Sequence, residues 1–343
     1  MNLRVLATPH IEHYTIGLYG EVSKYVPVTL LTFKKYNLNI KQIVSPRIPI
    51  PRKRTLARDI LLKILAMKYE IIHVNNSTEG TLIPAKDRLI VTEHGFPDPS
   101  VAEKEIRWFY EKEQRNLIRL YEIGVPIVTI SNYAAKQLYE NLGVKVKAVV
   151  YHGVLEMFRA DAPKKFPERH KILWVSRLVG PKEPFVLLDA IKKIKNFNNF
   201  EVYIRGDGPL KNQIRKFIRC SNIEKLISTV PPLPFNKIPD LYKRSTIFVH
   251  TCSREPFGLS LLEAMASGLP VIVPDKGGAC EIADDAALKF KAGDPSDLAD
   301  KILALMLDSE LYENLSRKSL ERSDFFSWKK AAGEYLELYE KIL

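Results

Sequence analysis

Short β-branched runs alternate along the chain with longer stretches of helical period. Leu3 to Ala7, Val28 to Leu31, Ile71 to Val74, Leu89 to Thr92 and Ile127 to Ile130 are apolar runs of the kind expected for strands buried on both faces. Between the last two, Val101 to Tyr121 is charged and amphipathic, pairs Glu103 with Arg107 and Glu111 with Arg115 at helical spacing, and predicts a long helix. A strand near Val146 to Val150 closes this half, and Tyr151 to Lys171, charged and broken by Pro163 and Pro167, reads as an interdomain linker. The alternation restarts with Ile172 to Val175, Val202 to Ile204, Ile227 to Thr229, Ile247 to His250, Val271 to Val273 and Ala287 to Phe290. Trp328 to Leu343 has the spacing of a terminal amphipathic helix. The pattern predicts an α/β protein with parallel sheets in two domains.

The length agrees, since 343 residues exceed the ~250 to 300 at which single cores stop growing. Fifty-two Lys and Arg against forty Asp and Glu leave a net +12, which favours acidic partners: phosphates, nucleic acid or an anionic membrane. Cys220, Cys252 and Cys280 are odd in number and form no CxxC pair, so neither a disulfide framework nor a zinc cluster is indicated. The amino terminus turns polar after Ala7, and no apolar run reaches the ~18 residues of a membrane span. An uncleaved cytoplasmic chain is expected.

In an open parallel sheet the ligand crevice lies beyond the carboxyl ends of the strands, so the loops after each strand carry the candidate chemistry. Arg177 and Lys182 follow one strand and are either solvated loop cations or a clamp for a diphosphate. Arg205-Gly206-Asp207-Gly208-Pro209 follows the next, and its glycines allow a tight turn or close approach to a ligand. With Lys at 211 it is not a G-x-G-x-x-G fingerprint, which disfavours redox use of a dinucleotide. In Arg254 to Pro270, Pro256 and Gly258 delay a helix expected to run from about Leu259 to Gly268. That leaves Glu255 on the loop, Glu263 a turn inside, and the amides of Gly258, Leu259 and Ser260 at a helix start suited to a phosphate. A carboxylate placed like Glu263 can accept two hydrogen bonds from a ribose diol.

These residues resemble a known family. Glu255 and Glu263, with the Phe257-Gly258-Leu259 step and the tail Glu263 to Ile272, are similar to the E-x7-E element of retaining GT-B glycosyltransferases of the group-one type, family four. Ser176-Arg177 with Lys182, the Gly206 to Pro209 turn, Gly277-Gly278 with Glu281, Phe326-Ser327-Trp328, His94-Gly95, Ile130-Ser131 and His152-Gly153-Val154 resemble further family motifs in the same order. The resemblance implies two Rossmann-like domains facing across a cleft: an acceptor domain at 1–155, a nucleotide-sugar domain at 156–326, and a terminal helix at 327–343 crossing back to the first. It also implies roles. Arg177 and Lys182 hold the diphosphate and Glu263 the ribose. Glu255, with the backbone from Phe257 through Gly258 to Leu259, meets the transferred sugar, Gly206 lies in the donor site, and His94 sits near the anomeric centre. Glu255, His94, Arg177 and Lys182 then form the catalytic set for front-face transfer with retention, the leaving phosphate taking the acceptor's proton. Where many relatives carry a double glycine after the first strand, this chain has Pro9-His10-Ile11-Glu12-His13-Tyr14-Thr15-Ile16-Gly17, in which Gly17 either substitutes or does not, and His152 replaces the hinge asparagine.

No D-x-D is present, and His10 and His13 read as polar loop residues, so no metal or other cofactor is expected to be required. Residues 34 to 68 hold ten Lys and Arg against Asp59 alone. Arg52, Lys53, Arg54 and Arg58 there flank Leu56, Ile60, Leu61, Ile64 and Leu65 at helical spacing. This is either a solvated rim on a packed helix or a cationic helix lying on anionic lipid, in which case the acceptor is a lipid-linked sugar or a lipid and the protein sits on the inner membrane face. Otherwise a soluble glycan or small molecule is the acceptor. A catalytically silent glycan-binding or membrane-docked scaffold is the alternative function. Nucleic-acid binding is disfavoured because no recognised binding motif accompanies the charge.

Overall fold

The computed structural model describes residues 3–49, 54–96, 98–100 and 107–343, and the chain divides into two compact units, 1–153 with 327–343, and 154–326. In the first, β1 (Val5–Ala7), α1 (Glu12–Val22), β2 (Val28–Thr32), β3 (Lys41–Val44), α2 (Leu56–Ala66), β4 (Ile71–Val74), α3 (Ser77–Leu82), β5 (Leu89–Glu93), α4 (Arg107–Glu122), β6 (Ile127–Thr129), α5 (Asn132–Leu142) and β7 (Ala148–Val149) alternate as expected. Their strands form one parallel sheet in the order β3-β2-β1-β4-β5-β6-β7. The direction of winding reverses between β1 and β4, where Val5 pairs with Val28 on one side and Ile71 on the other. Leu62 and Ala66 of α2, Leu117 and Leu120 of α4 and Leu138 of α5 share one buried cluster with Leu6, Ile72 and Val91 of the sheet.

Several boundaries differ from expectation. Lys41–Val44 is an edge strand with no fully buried residue, so its polar sequence carries no strand signal. The strand expected at Val146 to Val150 is only Ala148–Val149, and residues 101–106 of the expected long helix lie outside the described residues.

The second unit runs β8 (His170–Val175), α6 (Pro184–Lys193), β9 (Phe200–Arg205), α7 (Lys211–Cys220), β10 (Ile227–Val230), α8 (Ile238–Arg244), β11 (Ile247–Val249), α9 (Leu259–Ala266), β12 (Val271–Pro274), α10 (Gly278–Ala283), β13 (Ala287–Phe290), α11 (Pro295–Leu307) and α12 (Ser309–Asp324). Its parallel sheet has the order β10-β9-β8-β11-β12-β13, so winding reverses between β8 and β11. Ile172, Val202, Ile247, Ile272 and Phe290 place its core in the middle of that sheet.

The closing helix α13 (Trp328–Ile342) packs on α1 in the first unit. His73 of β4 anchors it: Nδ1 lies 2.7 Å from the Tyr339 hydroxyl, and Nε2 lies 2.8 Å from Thr92 Oγ1, which meets the Tyr335 hydroxyl at 2.7 Å. Burial pushes the His73 pKa from 6.5 down to about 3. The unfolded chain takes up a proton near 6.5 and the folded chain does not, so stability from this site is complete above that value and is lost as pH falls toward 3. Between pH 7 and pH 5 this residue alone should cost about 2 kcal/mol, read from urea unfolding, with a flatter pH profile in His73→Asn. Gly17, in the middle of α1, lets Trp328 approach so closely that a Cβ there would meet the indole. It is a helix-packing glycine rather than a loop glycine. Gly17→Ala should lower unfolding stability by about 1 to 3 kcal/mol. Among the described residues no helix is long and apolar enough to cross a membrane.

Candidate active site

Both reversals of winding open crevices at carboxyl strand ends, and the candidate residues gather there. In the second unit, the loop after β8 and the loop after β11 are laced together. Thr251 Oγ1 donates to the Lys182 carbonyl at 2.8 Å and accepts from Trp174 Nε1 at 2.9 Å, while Cys252 Sγ lies 3.0 Å from the Pro181 carbonyl. Glu183 holds a left-handed backbone (φ 51°) and accepts a hydrogen bond from the Ser253 hydroxyl. The lacing delivers Lys182 Nζ to within 2.6 Å of Glu255 Oε2. Burial by itself would raise the Glu255 pKa, but Lys182, assisted by His250, outweighs it and holds the carboxyl below its ordinary range. Burial likewise opposes the charge on Lys182, and Glu255 more than restores it. His250 Nε2 lies 3.6 Å from Glu255, and burial pushes its pKa down to about 4, so the ring is neutral at pH 7.

Arg177 is exposed and close enough to Lys182 to oppose its charge, and its side chain makes no hydrogen bond or ion pair among the described residues. Helix α9 starts at Leu259 because Gly258 takes φ +96°, and its first intrahelical bond is donated by Leu262 to Gly258 at 3.0 Å. The amides of Leu259 and Ser260 therefore precede the helical ladder. Glu263, one turn further, is buried and accepts a 2.7 Å hydrogen bond from the Tyr242 hydroxyl of α8. The Phe257 ring is buried edge-on to Phe326, which leaves its backbone as the part that can meet a ligand.

In the first unit, the crevice at the β1/β4 reversal holds a buried polar network. Asn75 donates both amide hydrogens, to the Thr8 carbonyl at 2.5 Å and the Tyr19 hydroxyl at 2.8 Å, and its Oδ1 lies 2.9 Å from His94 Nε2. An amide with both hydrogens spent can only accept there, so His94 Nε2 carries the proton and Nδ1 is a bare lone pair. That Nδ1 is buried without a hydrogen-bond partner among the described residues. Burial, with His10, His152 and His73 nearby, holds the His94 pKa well below 6.5. The His10 ring stacks on His94 with centroids 3.6 Å apart and planes 7° apart, and Tyr14 meets it edge-on at 4.7 Å.

A family model described as glycosyl transferases group 1 matches residues 158–322. An uncharacterized glycosyltransferase of Methanocaldococcus jannaschii is 30% identical over 98% of this chain and 94% of its own length. The chain belongs to the group 1 glycosyl transferases. Spore coat protein SA of Bacillus subtilis is 32% identical over about half of each chain, 50% of this one and 48% of the other. Among solved structures, sucrose-phosphate synthase from Thermosynechococcus elongatus superposes with a TM-score of 0.82 at 17% identity, covering 99% of both chains. Anabaena HepE, in complex with UDP and glucose, gives 0.77 at 17% identity over 98% of this chain and 99% of its own. These likenesses establish the GT-B fold of this glycosyltransferase.

The remaining expected features of this group 1 glycosyl transferase fall as follows. Gly206 and Gly208 are small because the backbone of Ser176 to Leu178 passes where their Cβ atoms would be, so their glycine character is explained by loop packing. Gly277 and Gly278 likewise pack on the backbone of residues 253 to 256. His13 is not a loop residue: it is buried inside α1. His10 is a loop residue, but one whose ring caps His94. Arg52 and Lys53 lie outside the described residues, and Arg54 is exposed. Arg58 turns inward, pairing with Glu79 at 2.7 Å over the Phe33 ring, because buried Glu79 needs a counter-ion. Tyr242, the partner of Glu263, carried no recognisable sequence signal. His250, Cys252 and Glu255 place ligand atoms within 4.8 Å of one another, a set that could hold a metal ion, but the Lys182 ammonium already supplies a cation to Glu255.

Proposed function

We propose that this glycosyltransferase moves a sugar from a nucleoside-diphosphate sugar, with retention of anomeric configuration, to a glycan, lipid-linked or small-molecule hydroxyl. The observation that carries the reading is the Lys182–Glu255 pair beside exposed Arg177 and the start of α9. An ammonium has three donors, so one bond to Glu255 fixes Lys182 and leaves two for the diphosphate. Arg177 adds a planar fork, and the Leu259 and Ser260 amides add the positive end of a helix. These groups are in place before reaction and stabilise charge as it develops on the leaving diphosphate. The same cations take the role a divalent metal would otherwise have, so none is required.

Glu263, held by Tyr242, receives the ribose hydroxyls. A cavity of about 190 Å³ lined by Leu178, Ile204, Gly206, Thr229, Val230 and Pro231 lies at the same end of the sheet and takes the base. A larger groove of about 850 Å³, between Ala162 to Lys165 and α12, contains no candidate site residue. Anabaena HepE has also been solved in complex with UDP-glucose, which makes UDP-sugars the first donors to test. Glu255 is ion-paired, and burial holds the basicity of His94 and His250 well below that of an ordinary imidazole, so no strong base is poised at pH 7, which supports proton transfer to the leaving phosphate. The first unit, around His94, receives the acceptor.

Calorimetric titration with UDP, GDP and ADP tests the donor site, and NMR of the product's anomeric proton tests retention. Absence of binding by all three, or an inverted product, would refute the corresponding part. Glu263→Gln should weaken nucleoside-diphosphate binding about 10- to 150-fold by removing a charge-assisted ribose bond.

A further inference from the structure

Helix α2 is apolar on two sides. Leu62 and Ala66 face the core, but Leu56, Ile60, Ile64 and Met67 are 42%, 49%, 52% and 70% exposed. Their spacings of four, four and three residues put them on one outward stripe. A solvated helix pairs one apolar face with a polar one, so a second apolar face needs a further partner. The charges around it have one sign. Arg54, Lys63 and Lys68 are exposed, whereas Asp59, the helix's acidic residue, is held by Thr55 at 2.8 Å and by Arg58.

We infer that the outward face of α2 docks on an anionic lipid bilayer, with Leu56, Ile60, Ile64 and Met67 entering the headgroup boundary and Lys63 and Lys68 meeting lipid phosphates. A second copy of the chain is a poor occupant, because a two-fold contact through this stripe would bring Lys63 and Lys68 against their equivalents. Nucleic acid matches the charge but offers the stripe no apolar surface. A bilayer supplies both, in the arrangement of an interfacial helix. Arg58, buried against Glu79, has no part in this surface. The inference does not depend on the sugar-transfer reading.

The full chain is sedimented with vesicles of phosphatidylcholine alone or mixed with phosphatidylglycerol, at low and high salt. Binding to the mixed vesicles, weakening with salt, is expected. Ile60→Glu with Ile64→Glu should weaken it by more than about tenfold, and Lys63→Glu with Lys68→Glu by at least about fivefold per lost cation. Both variants should keep the parent melting temperature, since the substituted side chains are exposed. In Met67→Trp the tryptophan emission should shift to the blue on vesicle binding and be quenched by brominated lipid. Equal binding to neutral vesicles, unaltered binding of the Ile60/Ile64 variant, or a Met67→Trp emission that ignores vesicles would each overturn the inference. So would light scattering that showed a dimer dispersed by the Ile60/Ile64 change. Calorimetry with a nucleoside diphosphate on the same samples separates failure of this surface from failure of the donor site.

Discussion

Replacing Lys182 with alanine is expected to lower turnover at saturating donor by about 100- to 1000-fold, the range for removal of one pre-positioned donor to a developing anion. Two effects add. The leaving diphosphate loses a cation, and Glu255, whose side chain is 15% exposed, keeps a charge that now repels the donor. The second effect is separable. Glu255→Gln in the Lys182→Ala background removes the repulsion and should recover nucleotide affinity while turnover stays low, because the missing cation acts in the transition state. Lys182→Arg should restore little, since the planar fork cannot occupy a site shaped for a compact ammonium 2.6 Å from a carboxylate. The measurements are initial rates of sugar transfer over a range of donor concentrations, with calorimetry for the nucleotide. A Lys182→Ala enzyme with parent turnover would remove the pair from the mechanism.

The pair also shows how far sequence reasoning reached. Arg177, Lys182 and Glu255 were legible as loop residues because the strands before them, such as Ile172 to Val175 and Ile247 to Val249, are buried on both faces and write continuous apolar runs. That Lys182 and Glu255 touch was not legible, since the contact depends on two loops tied through Thr251, Cys252 and Ser253. The need of Glu263 for a partner could be read from its apolar neighbours. The partner, Tyr242, comes from another helix and could not. Lys41–Val44 was missed because an edge strand has only one neighbour and little burial to impose a pattern. His13 was misjudged for a related reason. Its burial beside Trp328 arises only after α1 and α13 have packed, and no local periodicity records that.

Arg58→Ala should destabilise the protein by about 3 to 5 kcal/mol, the cost of leaving one member of a buried ion pair alone. The Arg58 and Glu79 side chains are 11% and 5% exposed and meet at 2.7 Å, and Glu79 also accepts from Thr8 at 2.6 Å. Thr8 in turn accepts from the Asn75 amide, and Asn75 orients His94. Loss of Arg58 therefore reaches the His94 crevice of the first unit through a continuous set of hydrogen bonds. Urea unfolding of Arg58→Ala, Glu79→Gln and the double variant gives the coupling directly. The double variant should be more stable than Arg58→Ala alone, because it no longer buries an unpaired carboxylate. The same cycle distinguishes the two places a cation on α2 can serve: Arg58 should change unfolding stability, whereas Lys63 and Lys68, which face outward, should change vesicle binding at parent stability. If Arg58→Ala unfolded like the parent, the inward assignment of that side chain would be wrong, and its charge would return to the surface of α2.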